Sequence, residues 1–346
     1  MGAPFPWSSV LSRLMGGEDL ASDEARAAMA EVMEGRSTPA QTAAFIVALR
    51  VKGESVAEMT GMVEALYDAA ETVDIGEPVV DIVGTGGDGS GTFNISTTAA
   101  LIAAGAGAKV AKHGNRAASS RSGSADVLEA LGVQIELPPD TTVRMVREAG
   151  FGFFFAPRYH PAMRHAVPVR RELGVPTVFN VLGPLANPAR AQRIAVGVAE
   201  PRMAERMVGV LQALGREFAF VFYGEDGLDE LTTAGTSFIY RLKDEVVTHA
   251  EFTPGDFGVR VADRSDLLGG DAVTNAAITT AILEGEAGPR RDIALVNALP
   301  GIVAAGLADG FTSAMPLAAD AVDSGAARRV LDRVIEMSEE AAATDG

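Results

Sequence analysis

Apolar and polar positions follow helical periodicity in the first part of the chain. Met29, Val32 and Met33 recur on one face of a predicted helix, in surroundings dense in Ala, Glu and Leu. Thr38, which is followed by proline, is a typical N-cap of a second helix. The pattern predicts a small all-helical domain over residues 1–74.

Beyond residue 75 the pattern changes to short β-branched runs that alternate with helical or glycine-rich segments. Strands are predicted at 78–83, 108–111, 193–198, 217–223 and 237–242. A further run at 246–252 predicts an antiparallel edge strand. Strands that alternate with helices build parallel sheets. We therefore expect an α/β domain over 75–346 with a mostly parallel sheet flanked by helices.

Charge and composition narrow the classes of function. The 346 residues include 29 Lys and Arg against 46 Asp and Glu, which gives a formal net charge of −17. Such a field repels nucleic acid and anionic membranes, so an anionic ligand needs a local basic site. The lack of cysteine excludes disulfides, thiolate zinc sites, iron–sulfur clusters and a cysteine nucleophile. The chemistry that remains open to the protein uses oxygen and nitrogen groups and hard metal ions.

The sequence shows no sign of export or membrane insertion. Its N-terminus has no apolar stretch behind a basic end, as a secretory signal would. The most apolar stretch, 97–110, consists of Ala, Gly and Ile and is too short to span a bilayer. We expect a cytoplasmic protein without a membrane partner.

A glycine-rich segment follows the first predicted strand. Residues 84–92 have the sequence GTGGDGSGT and continue into the hydroxyl-rich 94–98. Glycines let backbone N–H groups approach an anion, and hydroxyls add donors, although a flexible surface turn is the simpler interpretation. The segment satisfies G-x-G-x-x-G, but 104–110 lacks the acid that a dinucleotide site requires. Ser90-Gly91 replaces the Lys-Ser or Lys-Thr of a P-loop, so neither nucleotide site fits.

A basic segment, 112–124, follows the second predicted strand. No Asp or Glu lies between Asp88 and Asp126, whereas four basic residues do: Lys109, Lys112, Arg116 and Arg121. Together with the glycine-rich segment, these residues supply amides, hydroxyls and cations, which is a donor set for phosphates. A solvated basic face is the alternative.

A third segment, 151–171, also lacks Asp and Glu. It contains two of the four histidines and four arginines, with aromatic residues beside them. Arginine pairs with a carboxylate through two hydrogen bonds and rings pack on an apolar face, so the segment suits a flat aromatic acid. A core strand that leads into a surface helix is the alternative.

A fourth segment, 226–230, has the sequence DGLDE and follows a predicted strand. Adjacent carboxylates are costly unless a cation neutralises them. Oxygen ligands favour Mg²⁺, which typically binds one or two carboxylates, water and substrate phosphates. A simple acidic turn is the alternative.

Five long motifs occur in order along nearly the whole chain: GTGGDGSGTFNIST, KHGNRAASSRSGSADVLEALG, HPAMRHAVPVRRELGVPTVFNVLGPLANPA, DGLDE and NAAITTAILEGEAGPRRDIALVNA. In sequence and order they resemble the anthranilate phosphoribosyltransferase family of tryptophan biosynthesis. The resemblance implies a transferase that joins anthranilate to 5-phosphoribosyl-1-pyrophosphate (PRPP), with Mg²⁺, and releases pyrophosphate. It also implies a homodimer whose substrates meet between the two domains, with residues of about 168–190 joining the helical domain.

The resemblance assigns residues to three groups of contacts. For PRPP it implies Gly84, Gly87, Asp88, Thr92, Asn94, Ile95, Ser96, Thr97, Lys112, His113, Gly114, Asn115, Arg116, Ala117, Ala118, Ser119, Ser120 and Ser124. For anthranilate it implies Gly84, Asn115, His160, Arg170, Gly183 and Pro184, and for the metal Ser96, Asp229 and Glu230. No residue is assigned as a general base, because an aryl amine is neutral and has its lone pair free for attack.

Three other interpretations remain open at this point. A pyrimidine nucleoside phosphorylase has a related architecture and would use a nucleoside and inorganic phosphate. A non-catalytic relative could keep the fold and lose turnover. Within the transferase interpretation, a related aromatic amine could replace anthranilate, because the sequence does not give the shape of the acceptor site.

Overall fold

The computed structural model describes residues 4–117 and 121–344, which form fifteen α-helices and a seven-stranded sheet. The helices are α1 Trp7–Met15, α2 Ser22–Met33, α3 Pro39–Lys52, α4 Val56–Asp68, α5 Ile95–Gly105, α6 Ser124–Ala130, α7 Pro139–Ala149, α8 Ala156–Tyr159, α9 Val167–Leu173, α10 Phe179–Leu182, α11 Pro201–Ala213, α12 Ala272–Leu283, α13 Pro289–Ala304, α14 Phe311–Asp323 and α15 Ala326–Thr344. The strands are β1 Val80–Gly84, β2 Val110–Gly114, β3 Phe151–Phe155, β4 Arg193–Gly197, β5 Phe218–Gly224, β6 Ser237–Lys243 and β7 Val246–Phe252. None of these helices is both long and apolar enough to cross a bilayer.

The N-terminal helices form a lobe whose buried residues share one hydrophobic cluster with a face of the sheet. Thr38 caps α3 by accepting a hydrogen bond from the backbone N–H of Gln41 at 3.2 Å, as the sequence predicts. Gly61 lets α2 and α4 pack closely, because a Cβ at this position would overlap the carbonyl of Ser22. The predicted all-helical domain at the N-terminus is confirmed.

The sheet has the strand order β3-β2-β1-β4-β5-β6-β7. Strands β1 to β5 pair in parallel, and β6 and β7 are antiparallel. The mostly parallel sheet and the antiparallel edge strand at 246–252 are therefore confirmed. The strand predicted at 237–242 is present as β6, which pairs antiparallel to β5 because the connecting residues 225–236 contain no helix that could carry the chain back for a parallel strand.

Helices cover both faces of the sheet. Helices α5, α13, α14 and α15 build one core, which includes Val80 and Ile82 of β1. The other face packs against α11 and the helical lobe. Helix α9 contacts α3, and α10 contacts α4, so the segment around 168–182 lies against the N-terminal helices.

The strand order creates a crevice at one end of the sheet. From β1 the chain adds β2 and β3 on one side, and then returns to place β4 on the other side of β1. The carboxyl ends of β1 and β4 therefore flank a topological switch point, where open α/β sheets bind ligands. The glycine-rich segment begins at this point, at the end of β1.

Candidate active site

Two glycines at the switch point allow an acidic turn to lie over the strand ends. Gly84 ends β1, Gly197 ends β4, and the two residues are paired in the sheet. A Cβ on Gly84 would lie 2.5 Å from Oδ2 of Asp229, and one on Gly197 would overlap the carbonyl of Asp229. The backbone N–H of Gly86 donates to the same Oδ2 at 2.6 Å. The turn at 226–230 is thus held against the glycine-rich segment.

The two carboxylates of this turn are buried side by side. Asp229 is 8% exposed and Glu230 is 7% exposed. Burial, and then the charge of Asp88, raises the pKa of Asp229 to about 7. Burial and the charge of Asp229 raise the pKa of Glu230 well above its ordinary range. A cation bound beside them would stabilise both carboxylates.

The donor set fits Mg²⁺ in particular. All candidate ligands are oxygens, and the backbone of Ser96 lies close enough to the carboxylate of Glu230 to lower its pKa, which brings Ser96 to the same place. Within the described ranges, no three or more His, Asp or Glu side chains form a closed set of metal ligands. A hard cation here would therefore take water and substrate phosphates as well, which is typical of Mg²⁺.

Lys112 supplies a buried positive charge beside these acids. It lies on β2, is 1% exposed, and donates from Nζ to the carbonyl of Ile82 at 2.5 Å and to Ser96 Oγ at 3.4 Å. Burial lowers the pKa of Lys112, and the charges of Asp81, Glu230 and Asp229 oppose that shift. The ammonium group therefore lies near the carboxylates and the start of α5.

The start of α5 contributes backbone donors more than side chains. Ile95 and Thr97 are buried in the first turn of α5, where backbone N–H groups without an intrahelical partner can donate to a ligand. The side chain of Asn94, the N-cap, donates to the carbonyl of Ser122 at 3.2 Å and accepts from Asn275 at 2.9 Å. The helix start is thus fixed to the basic segment.

The basic segment folds back on itself after β2. Asn115 is exposed, and its carbonyl accepts a hydrogen bond from Ser124 Oγ at 3.3 Å. Arg116 forms ion pairs with Glu129 and Asp126, so these two carboxylates partly neutralise its charge. The remaining predicted PRPP contacts that the structure describes lie along the same loops: Gly87, Asp88, Thr92, Gly114 and Ala117. Predicted contacts at Ala118, Ser119 and Ser120 fall outside the described residues.

His113 lies on the other face of β2 from Lys112, because neighbouring residues of a strand point to opposite faces. Its ring is 5.2 Å from the ring of His160, centroid to centroid, and Nδ1 is 3.2 Å from the carbonyl of Gly183. His160 Nε2 lies 2.9 Å from the carbonyl of Ala186. The structure thus places His113, predicted as a PRPP contact, with His160 and the Gly183-Pro184 turn, which were predicted for anthranilate.

The hydrogen bonds fix the protonation of His113. A carbonyl accepts only, so Nδ1 carries the proton and Nε2 is left as an acceptor. Nε2 is buried and has no hydrogen-bond partner within the described part of the chain. Burial, His160 and Lys112 lower the pKa of His113 to about 3. The imidazole is therefore neutral at physiological pH, and its Nε2 is an acceptor without a donor among the described residues.

The neutral His113 should make stability depend on pH. Because its folded pKa lies below the unfolded value of 6.5, the unfolded state binds an extra proton as pH falls. The titration of His113 by itself should lower the free energy of unfolding by about 2 kcal/mol between pH 7 and pH 5. Urea unfolding at both pH values measures the change for each protein, and the change in His113→Gln should be more favourable to the folded state than that of the wild type by about this amount.

His249, exposed on β7, provides the control, and His249→Gln should keep the wild-type difference. The comparison cancels the contributions of Asp81, Asp229 and Glu230, whose raised pKa values act in the opposite direction in all three proteins. An equal pH dependence in His113→Gln and the wild type would contradict a neutral, buried imidazole.

Arg170 is a half-buried cation on α9. Its guanidinium lies over the ring of Phe179, 5.2 Å from the centroid. Burial lowers the pKa of Arg170, and among the described residues no acid forms an ion pair with it. Arginine nevertheless stays charged in proteins. The side chain therefore offers a positive charge with which a planar carboxylate can pair, and Phe179 holds the guanidinium in place.

Sequence reasoning missed three residues that shape the site: Asp81, Asn187 and Gly197. Asp81 is fully buried and hydrogen-bonded to Asn187 at 2.8 Å. The sequence contained a signal for Asp81, because burial of a charged side chain in the β-branched run 79–83 costs free energy unless the charge is paired or hydrogen-bonded. The roles of Asn187 and Gly197 depend on contacts with strands far along the chain.

The chain matches two sequence models of one family. The model described as "Glycosyl transferase family, a/b domain" covers residues 76–328, and the one described as "Glycosyl transferase family, helical bundle domain" covers residues 8–70. The fold and the site thus define a glycosyl transferase built from a helical bundle and an α/β domain.

Individual relatives narrow this class. The anthranilate phosphoribosyltransferase of Arthrobacter sp. (strain FB24) is 50% identical over 338 residues, 96% of this chain and 96% of the relative. The crystal structure of anthranilate phosphoribosyltransferase (TrpD) from Thermus thermophilus has a TM-score of 0.90 and 42% identity, and covers 95% of this chain and 99% of that one. The chain therefore belongs to the anthranilate phosphoribosyltransferase family, as its motifs indicate.

Solved relatives from Saccharomyces cerevisiae contain ligands. The anthranilate phosphoribosyltransferase in complex with PRPP and Mg has a TM-score of 0.88 and 28% identity, over 96% of this chain and 98% of that one. The complex with 4-fluoroanthranilate has a TM-score of 0.86 and 26% identity, over 97% and 99%.

Proposed function

We propose that this protein transfers the 5-phosphoribosyl group of PRPP to the amine of anthranilate, giving N-(5-phosphoribosyl)anthranilate and pyrophosphate. One observation carries the proposal: two consecutive residues of β2 face two half-sites with different chemistry. Lys112 lies with Ser96, Asp229 and Glu230 on the donor side, where phosphates and a metal ion would bind. His113 lies with His160 and the 183–184 turn on the acceptor side.

The donor half-site is suited to a pyrophosphate leaving group. Breaking the bond at ribose C1 leaves positive character on the sugar and growing negative charge on pyrophosphate. Lys112 and the glycine-rich N–H groups would stabilise that charge electrostatically. Asp229 and Glu230, with Ser96, would hold Mg²⁺, which neutralises charge on the pyrophosphate when it is bound.

The acceptor half-site is suited to orient an aromatic acid. Arg170 would pair with the carboxylate of anthranilate, and the Nε2 atom of His113 would accept an N–H from its amine. The amine would then face C1 from the side opposite to pyrophosphate, so we expect inversion at C1. We assign no general base, because the aryl amine attacks through a free lone pair.

Two further proposals concern assembly. The packing of α9 on α3 and of α10 on α4 supports assignment of the 168–190 segment to the helical domain. Exposed apolar side chains on α1 and α3, two helices that pack against each other, support a homodimer through this lobe: Met15, Val47 and Val51.

The activity can be tested by following anthranilate fluorescence after mixing the protein with anthranilate and PRPP. We expect decay with Mg²⁺ and none with a chelator. A parallel assay with a pyrimidine nucleoside and phosphate should show no phosphorolysis, and turnover there instead would favour the phosphorylase. Loss of both activities, with PRPP still bound, would favour a non-catalytic relative.

A further inference from the structure

A buried carboxylate in β1 is not used by the contacts proposed so far. Asp81 is fully buried, and it lies between Val80 and Ile82, whose side chains belong to the core on the α5 side of the sheet. Because residues alternate along a strand, the Asp81 side chain points to the other face, toward the acceptor half-site.

Asp81 joins two parts of that half-site. Its Oδ1 accepts a hydrogen bond from the backbone N–H of His113 at 3.2 Å, and its Oδ2 accepts one from Asn187 Nδ2 at 2.8 Å. Asn187 Nδ2 also donates to the carbonyl of Ala111 at 2.7 Å, and Asn187 Oδ1 accepts from the N–H of Ala189 at 2.8 Å. Both polar atoms of the Asn187 amide are therefore hydrogen-bonded, and Nδ2 connects the segment around Asn187 to β1 and β2.

The segment that Asn187 fastens is the acceptor turn, which we define as residues 183–187. Its carbonyl groups are held from several directions: Gly183 by His113, Leu185 by the hydroxyl of Tyr67 at 2.8 Å, and Ala186 by His160. The Asp81–Asn187 hydrogen bond connects this turn to β1, the strand that also leads into the glycine-rich segment.

We propose that Asp81 is a positioning residue, which holds the His113 backbone and, through Asn187, the acceptor turn in the arrangement that anthranilate requires. This inference rests on the proposed function. Burial raises the pKa of Asp81 to about 6, so its ionised form opposes folding at neutral pH, which favours a functional over a purely structural reason for the carboxylate.

The test compares Asp81→Asn with Asn187→Ala and with the double variant Asp81→Asn/Asn187→Ala. In Asp81→Asn one of the two acceptors becomes a donor, which opposes either the N–H of His113 or the amide nitrogen of Asn187. We expect the KM for anthranilate to rise about tenfold in Asp81→Asn, with the KM for PRPP within about twofold of wild type. Because Asp81 and Asn187 act on the same turn, the effect of the double variant should be well below the product of the two single effects.

Amide hydrogen exchange gives a readout that does not depend on turnover. A peptide that covers the acceptor turn should undergo faster amide hydrogen exchange in Asp81→Asn and in Asn187→Ala than in the wild type. Ser338, a buried residue of α15 that accepts from the N–H of Gln134 at 3.0 Å, provides the control. Ser338→Ala should lower the unfolding midpoint and leave both KM values and this peptide unchanged.

Three results would overturn the inference: an unchanged KM for anthranilate in Asp81→Asn, an equal rise in both KM values, or unchanged exchange of the acceptor turn. If the wild type itself does not use anthranilate, the proposed function fails. The exchange data then decide whether Asp81 positions the turn.

Discussion

Replacing both buried carboxylates of the acidic turn, in Asp229→Asn/Glu230→Gln, should lower kcat/KM for PRPP about a thousandfold at saturating Mg²⁺. The two side chains lie at the switch point between β1 and β4. Burial raises the pKa of both carboxyl groups, so a bound cation would favour their ionised forms. Charge stabilisation by a metal ion contributes several kcal/mol to such a transition state, and about 1.4 kcal/mol corresponds to a factor of ten.

A matched control exists at the opposite end of the sheet. Asp244 and Glu245, the same pair of residue types, form the exposed hairpin between β6 and β7, beside the amino end of β5. Asp244→Asn/Glu245→Gln makes the same change in net charge and should keep wild-type kinetics. Full Mg²⁺-dependent activity in the Asp229/Glu230 variant would remove these residues from the metal site.

Asp229→Asn/Glu230→Gln should fold at least as well as the wild type. A carboxyl group whose folded pKa is raised contributes less stability once pH exceeds its unfolded value, because ionisation is disfavoured in the fold. Thermal unfolding at neutral pH should therefore give an unchanged or higher midpoint. This measurement separates lost metal binding from misfolding.

Arg170→Ala should raise the KM for anthranilate about a hundredfold and change the KM for PRPP little. The guanidinium lies over Phe179 and has no acidic partner among the residues that the structure describes, so its charge is available to a ligand. Loss of one member of a hydrogen-bonded charge pair costs about 2–5 kcal/mol, and a hundredfold change corresponds to about 2.7 kcal/mol, in the lower half of that range. Steady-state kinetics with each substrate varied in turn would measure both constants.

Two variants sharpen this experiment. Arg171 is the exposed neighbour on α9, and Arg171→Ala should leave both KM values unchanged. Arg170→Lys keeps the charge but loses the planar pair of donors, so its KM for anthranilate should lie between the wild type and Arg170→Ala. An effect on PRPP alone would contradict the assignment of Arg170 to the acceptor.

Local patterns predicted most of the elements. The β-branched runs at 78–83 and 193–198 became strands, and the β-branched run at 246–252 became the antiparallel edge, because these patterns depend on neighbouring residues. The order of the strands depends on contacts between distant segments, and the pattern did not encode it. The pairing of Gly84 with Gly197 under Asp229 is the clearest example, since all three residues come from different parts of the chain.

For the site residues, too, the sequence predicted what depends on local composition and did not predict what depends on the surrounding fold. The glycine-rich and basic segments could be recognised as anion donors because their composition alone carries that chemistry. The division of β2 between Lys112 on one side and His113 on the other follows from strand alternation, but only once the strand extends to Gly114. Sequence reasoning ended this strand at residue 111, so it gave no orientation for His113, which the resemblance assigned to the PRPP contacts.

The most direct test of the account is product analysis after one reaction of the purified protein with PRPP, anthranilate and Mg²⁺. Mass spectrometry and phosphorus NMR should show N-(5-phosphoribosyl)anthranilate and pyrophosphate in equal amounts. Release of pyrophosphate without a bond from C1 to the anthranilate nitrogen would show that the donor half-site works and that anthranilate is not the acceptor. Unchanged PRPP, with both substrates saturating, would contradict the central claim.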